Sequence, residues 1–269
     1  MDQTTIASPN PQNPRFNSAL EAYQDYLTPP RYPWTKREIE LADQASRRRL
    51  CVHGEQIEVY AWGVGEPVLL VHGWGGRATQ FEAVVLALLD SGFRVVAFDA
   101  PGHGHASGDL SSGIAICDSM LAIADGEDEF AAVVAHSIGA VSTTSALRQG
   151  LAANRAVFLG ACCRVIPTLL EFVSKRHLPS EMEREMLRLF DAQYGREDID
   201  AIAIAPQMTV PLLVLHDRED AEIPFGDAEA YAETWPGSEL AAISGVGHRR
   251  ILRSRAVVDR IVRFLGPLE

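Results

Sequence analysis

A serine, an acid and a histidine, which together can carry out nucleophilic catalysis, follow one another along this chain, each just after a short apolar run. Ser137 ends the stretch Ala131-Ala132-Val133-Val134-Ala135-His136-Ser137-Ile138-Gly139-Ala140. The run up to Ala135 is continuously apolar and short, as expected of a strand buried on both faces of a parallel sheet, and Ile138 onward has helical spacing. Ser137 is therefore expected at a strand-to-helix corner. A hydroxyl is a poor nucleophile in water, so such a serine must be aimed at its target and deprotonated by a neighbouring base. Ala135 and Gly139, two positions to either side, leave room for the tight turn. The competing interpretation is that Ser137 merely caps the following helix.

The other candidates lie at other strand ends. His72-Gly73-Trp74-Gly75-Gly76 is a glycine-rich turn that can point backbone N–H groups at an oxyanion, with the amides of Trp74 and Ile138 as the natural pair. His72 itself reads as structural. Asp217 and Asp220 follow another apolar run, and either can orient a catalytic base. His248, in Gly245-Val246-Gly247-His248, is the candidate base. His103 and His105, two apart in a glycine loop without supporting cysteines or acids, read as part of a rigid turn rather than a metal site.

The elements that must hold these residues can be read in order. Met1 to Pro14 has almost nothing to bury and is expected to be a loose tail. Leu20, Tyr23 and Leu27 mark one face of a short helix ended by Pro29 and Pro30. Thr35 to Glu38 spells a capping box, with Trp34 and Ile39 placed as its hydrophobic staple. Leu50 to Trp62 alternates about His53-Gly54-Glu55, predicting an edge hairpin. From there short strands alternate with helices: Val68 to His72, Arg94 to Asp99, Ala131 to Ala135, Ala156 to Gly160, Leu212 to His216 and Glu239 to Ile243, before a closing helix over Ala256 to Leu265. That rhythm implies a mostly parallel sheet whose ligands gather at the carboxyl ends of its strands. Residues 164–209 break it and read as an inserted helical lid. There Ser180 and Glu183 form a second capping box, Met182, Met186, Leu189, Phe190 and Gln193 make a helical stripe, and Gly195 ends the helix. Met182, Met186 and Phe190 are candidate pocket residues, against the alternative that the stripe is plain core.

Composition narrows the function classes. The 269 residues suit one domain, and 47% hydrophobic with 22% charged residues is ordinary for a globular enzyme. A formal charge of -12 argues against nucleic acid or an anionic membrane as partner. Cys51, Cys117, Cys162 and Cys163 lack C-x-x-C pairing and read as small buried fillers in a reducing compartment, and no membrane-length apolar run is present, so a cytoplasmic address is expected. Arg249 and Arg250 read as surface charges.

With these residues in place, the chain resembles the α/β-hydrolase superfamily. The order Ser, acid, His is that family's, and the elbow resembles G-x-S-x-G with Ala135 at the first glycine. Asp99 to Gly104 resembles D-x-P-G-x-G, with Ala106 where a serine is often found. His216 to Pro224 resembles H-G-x-x-D-x-x-x-P, a register that favours Asp220 over Asp217 as the acid. The resemblance spans about Leu50 to Leu265 and implies an α/β-hydrolase fold: a mostly parallel central sheet flanked by helices, with an N-terminal tail and helical extension (1–49), a core (50–163 and 210–269) and a helical lid (164–209). It also implies a Ser137, His248 and Asp220 triad, hydrolysis of a small carboxylic ester through an acyl-enzyme, a small-molecule substrate, and no metal or cofactor. The same residues leave open lyase, carbon-carbon hydrolase and perhydrolase chemistry, or a hydrolase-like ligand-binding protein. Oligomeric state is not set by the sequence.

Overall fold

Short runs of β-branched and aliphatic residues form the centre of the molecule, because each can be buried on both sides at once. In a computed structural model describing residues 16–127, 129–193 and 200–266, the chain runs α1 (Ala19–Tyr26), α2 (Lys36–Asp43), β1 (Ser46–Val52), β2 (Glu55–Trp62), β3 (Pro67–Val71), α3 (Glu82–Asp90), β4 (Arg94–Asp99), α4 (Gly113–Ala124), β5 (Ala132–His136), α5 (Ile138–Arg148), β6 (Ala156–Leu159), α6 (Ile166–Lys175), α7 (Ser180–Gln193), α8 (Ala201–Ile204), β7 (Leu212–Asp217), α9 (Phe225–Thr234), β8 (Glu239–Ile243), α10 (Gly247–Arg250) and α11 (Arg255–Leu265). The tail Met1 to Pro14 and Gly195 lie outside the described residues.

The strands form one sheet in the order β1-β2-β4-β3-β5-β6-β7-β8. β2 runs antiparallel to β1 and β4, and the remaining pairs are parallel. This is the α/β-hydrolase fold, and the hairpin forms its outer edge as the alternation predicts. Along β3 successive residues enter opposite layers. Leu69 and Val71 join the core with α1 and α4 to α7, whereas Val68 and Leu70 join that with α3 and α11. The chain order reverses about β3, so the crevice at a topological switch point opens beside β3 and β5. Ser137 and the glycine-rich turn follow these two strands directly.

Local details depart from expectation where tertiary packing decides. Tyr23 and Leu27 are buried, but Leu20 is exposed, because only part of the α1 stripe meets the body. The Thr35–Glu38 capping box forms, yet Ile39 is exposed and does not staple it. Trp34 instead stacks on His105, ring centroids 4.1 Å apart. Ser180 is the first residue of α7, and the Glu183 amide bonds to Pro179 rather than to a Ser180 cap. Cys51 is exposed, unlike the three buried cysteines. No helix among the described residues is long and apolar enough to cross a membrane.

Candidate active site

β5 delivers Ser137 into a backbone conformation that few side-chain-bearing residues adopt, with φ 56° and ψ -127°. Such strain persists only where the surroundings hold it. Here the Ser137 amide donates to Leu159 O on β6 at 3.0 Å, and its carbonyl accepts from Ala140 and Cys162. Ser137 occupies the N-cap position of α5, but its side chain makes no capping hydrogen bond. Ser137 instead lines a cavity of about 550 Å³, a volume suited to a small molecule. His248 lines the same cavity.

The two candidate acids separate cleanly. Asp220 Oδ2 lies 2.7 Å from His248 Nδ1, while its Oδ1 accepts the amides of Glu222 and Ile223 at 2.8 and 2.9 Å. Burial alone raises this carboxyl, but the His248 bond and the two amides outweigh it and hold Asp220 below the usual carboxylate range. Asp217 faces the same loop differently. Its Oδ2 accepts the amides of Val246 and Gly247 at 2.6 Å each, and its Oδ1 accepts that of Glu219 at 2.9 Å. One acid therefore meets the imidazole, and the other fixes the backbone carrying it. His248 sits in the one-turn helix α10 rather than in a free loop. A Cβ on Gly160, whose φ is 54°, would come within 3.1 Å of His248 Nδ1 and 3.4 Å of Asp220 Oδ2, so a side chain there would press on the pair.

The glycine-rich turn lies against the serine: a Cβ on Gly73 would meet Ser137 Cβ at 2.7 Å. Trp74 follows it and lines the cavity, as does Ile138. As the first residue of α5, Ile138 has no acceptor for its amide within the helix. His72 is structural, donating from Nδ1 to Gly73 O at 2.8 Å and accepting the Ala100 amide at Nε2. His103 and His105 diverge, the first beside His72 and Trp74, the second on Trp34 and Tyr60. Their turn is organised by Asp99, which accepts the amides of Ala78 and His105 and the Tyr60 hydroxyl.

Of the pocket candidates, Phe190 lines the cavity, together with Val165 and Phe172 at α6. Met182 and Met186 do not line it: Met186 is fully buried in the core and Met182 packs against it, because the inner face of α7 meets α1 and the body. Arg249 pairs with Glu222 and Arg250 donates to the Val246 carbonyl, so neither reaches the cavity lining. Sequence reasoning missed Cys162, which also lines the cavity. Burial, reinforced by Asp227, pushes its thiol up to about 12, which leaves it protonated and a poor rival nucleophile. It also missed residues 25–30, which wall one side; the Pro29-Pro30 pair signalled only a helix end.

The alpha/beta hydrolase family model matches residues 68–260. A non-heme chloroperoxidase of Kitasatospora aureofaciens is 33% identical over 60 residues, a segment covering 22% of each chain. The chain thus spans less than a quarter of that relative's length. An esterase from Exiguobacterium antarcticum superimposes with a TM-score of 0.63 at 19% identity, covering 81% of this chain and 98% of the other. A bromoperoxidase from Bacillus anthracis gives 0.63 at 20%, covering 82% and 99%. At such identities the structural likeness is one of fold. The family match spans most of the chain, and this protein belongs to the alpha/beta hydrolase family.

Proposed function

We propose that the protein is a serine hydrolase of small carboxylic esters or related acyl compounds, with Ser137 as nucleophile, His248 as base and Asp220 as the acid that orients it. The observation that carries this reading is the 2.7 Å Asp220–His248 pair opening onto the cavity lined by a strained, non-capping Ser137. With Nδ1–H given to Asp220, His248 presents an unprotonated Nε2 to take the Ser137 proton as Oγ attacks the carbonyl carbon. The Trp74 and Ile138 amides are the donors for the resulting oxyanion, each worth about 3 kcal/mol by the general cost of losing such a donor. Collapse releases the alcohol with the proton from His248, and water then repeats the cycle on the acyl-enzyme.

Residues 164–209 serve as the lid in this reading, and Val165, Phe172 and Phe190 favour an apolar acyl chain. Four free thiols suit a reducing, cytoplasmic setting. Ser137→Ala should abolish p-nitrophenyl ester turnover and labelling by a fluorophosphonate probe. Retained labelling would overturn the assignment. The local likeness to the chloroperoxidase favours one second reading, a perhydrolase in which hydrogen peroxide rather than water accepts the acyl group. Peracid formation from an ester and peroxide, exceeding hydrolysis, separates the two.

A further inference from the structure

Between α1 and α2 the chain runs along one side of the cavity, and its contacts there exceed what a simple linker requires. Tyr26, Leu27, Thr28, Pro29 and Pro30 line the same cavity as Ser137 and His248. All five precede residue 68, where the family match begins. We propose that this segment is a fixed wall that sets how long a substrate chain the cavity accepts. The proposal rests on the esterase reading for the nature of the ligand, while the wall itself rests on packing.

The segment is held from three sides. Arg31 donates to the carbonyls of Gly104, Ala106 and Gly108 at 3.0, 3.3 and 2.7 Å, and the Ser111 amide donates to Leu27 O at 2.8 Å, tying it to the turn after β4. Pro29 and Pro30 press on glycines of two loops: a Cβ on Gly102 would meet Pro29 Cγ at 3.1 Å, and one on Gly75 would meet Pro30 Cγ at 2.8 Å. Both glycines have positive φ, 75° and 67°, which disfavours any side chain, and one at Gly75 would also have to displace Pro30. Toward the insertion, the Tyr26 hydroxyl bonds Thr168 Oγ1 at 2.8 Å, the Tyr26 ring meets Phe172 edge-on at 5.4 Å, and Asp25 pairs with Arg176 at 2.9 Å.

A wall so fixed discriminates by steric limit. An extra or missing methylene at such a boundary is worth about tenfold or more. Leu27 is buried and Thr28 is exposed, and both line the cavity, so Leu27→Ala lengthens the limit, while Leu27→Phe and Thr28→Trp shorten it.

The test measures chain-length profiles for these three variants and the unaltered protein in two arms. One is kcat/KM on linear p-nitrophenyl esters. The other is thermal stabilisation of each protein carrying Ser137→Ala by linear 1-alkanols of increasing length, which needs no catalysis. The expected result is a long-to-short preference ratio shifted about tenfold, upward for Leu27→Ala and downward for the other two. Unchanged ratios in the alkanol arm would overturn the wall, whatever the esters do. Absence of ester turnover in the unaltered protein would instead count against the esterase reading, with the alkanol arm still deciding the wall. Should the Leu27 variants fail to fold, the exposed Thr28→Trp decides alone.

Discussion

His136 Nε2 donates to the carbonyl oxygen of His248 across 2.9 Å, and the two rings lie 4.6 Å apart at a 41° tilt. The residue just before the candidate nucleophile is thus bonded to the backbone of the candidate base. Because a carbonyl only accepts, His136 must carry its proton on Nε2. Burial, followed by the nearness of His248, pushes its pKa down to about 3, so the ring stays neutral and the donor is kept. Asp217 holds the preceding amides of the same loop, so the base is positioned from both β5 and β7.

Replacing His136 by Ala should therefore lower kcat more than it raises KM. The buried His248 carbonyl loses its donor at a cost of about 1–3 kcal/mol, and displacement of the base by about 1 Å lowers turnover on the order of 100-fold. Steady-state kinetics on a short ester checks this. A kcat within about twofold of the unaltered protein would show that the bond does not position the base.

Buried histidines also fix the response to acid. His72, His103, His136 and His216 are all held below the ordinary value of 6.5, in each case chiefly by burial. In the unfolded chain they titrate near that value, so between it and the folded pKa the unfolded state binds more protons and stability falls as pH drops. For His136 the window runs from 6.5 down to about 3. Its contribution is a slope of about 1.4 kcal/mol per pH unit. Urea unfolding from about pH 7 to about pH 4 should show this loss, and His136→Gln should reduce the slope by about one proton. A flat stability profile across that range would contradict it.

The central strands were legible because burial on both faces leaves a continuous apolar run, and β4 falls where the sequence places it; β8 does so too, although as an edge strand it is only partly buried. The strand end after β7 was only half legible. Asp217 and Asp220 are both acids at the right end of a strand, and which meets the imidazole depends on the direction in which each leaves the backbone. Periodicity marked the apolar stripes of α1 and α7 but not what covers them, which is why Leu20 faces solvent and Met186 lies in the core. The wall at residues 25–30 carried almost no local signal, because its partners Gly75, Gly102 and Thr168 are distant in the chain.

The division of labour between the two acids is testable by paired substitution. Asp220→Asn leaves His248 without an anionic partner and should lower kcat about 10⁴-fold, with some loss of stability because Asp220 also accepts the Glu222 and Ile223 amides. Asp217→Asn weakens acceptance from the Val246, Gly247 and Glu219 amides and should cost about 2–4 kcal/mol of stability, since bonds to a charged acceptor are worth about 1.5–3 kcal/mol each. Kinetics and denaturant unfolding on both proteins would distinguish them. A larger kcat loss from Asp217→Asn than from Asp220→Asn would reverse the assignment.

The loop bearing Trp74 runs straight into Arg77, whose guanidinium forks onto Glu38 at 2.9 and 3.0 Å and also donates to the carbonyls of Tyr32 and Pro33. Both charged side chains are only 5% exposed. The Trp34 ring covers the guanidinium, its centroid 4.7 Å from Cζ. Removing one partner strands the other charge in the interior, which typically costs about 3–5 kcal/mol, whereas replacing both with apolar groups of similar volume is often neutral. Arg77→Met and Glu38→Leu should therefore each destabilise strongly, and the double variant Glu38→Leu/Arg77→Met should recover most of the loss. Denaturant unfolding of all three, read as a double-mutant cycle, measures the coupling. Simple additivity would show that the pair contributes no joint stability. The recovered double variant also separates folding from positioning. If the ion pair fixes the register of the glycine-rich turn, its kcat should stay low with stability restored, because the Trp74 amide is no longer aimed at the oxyanion.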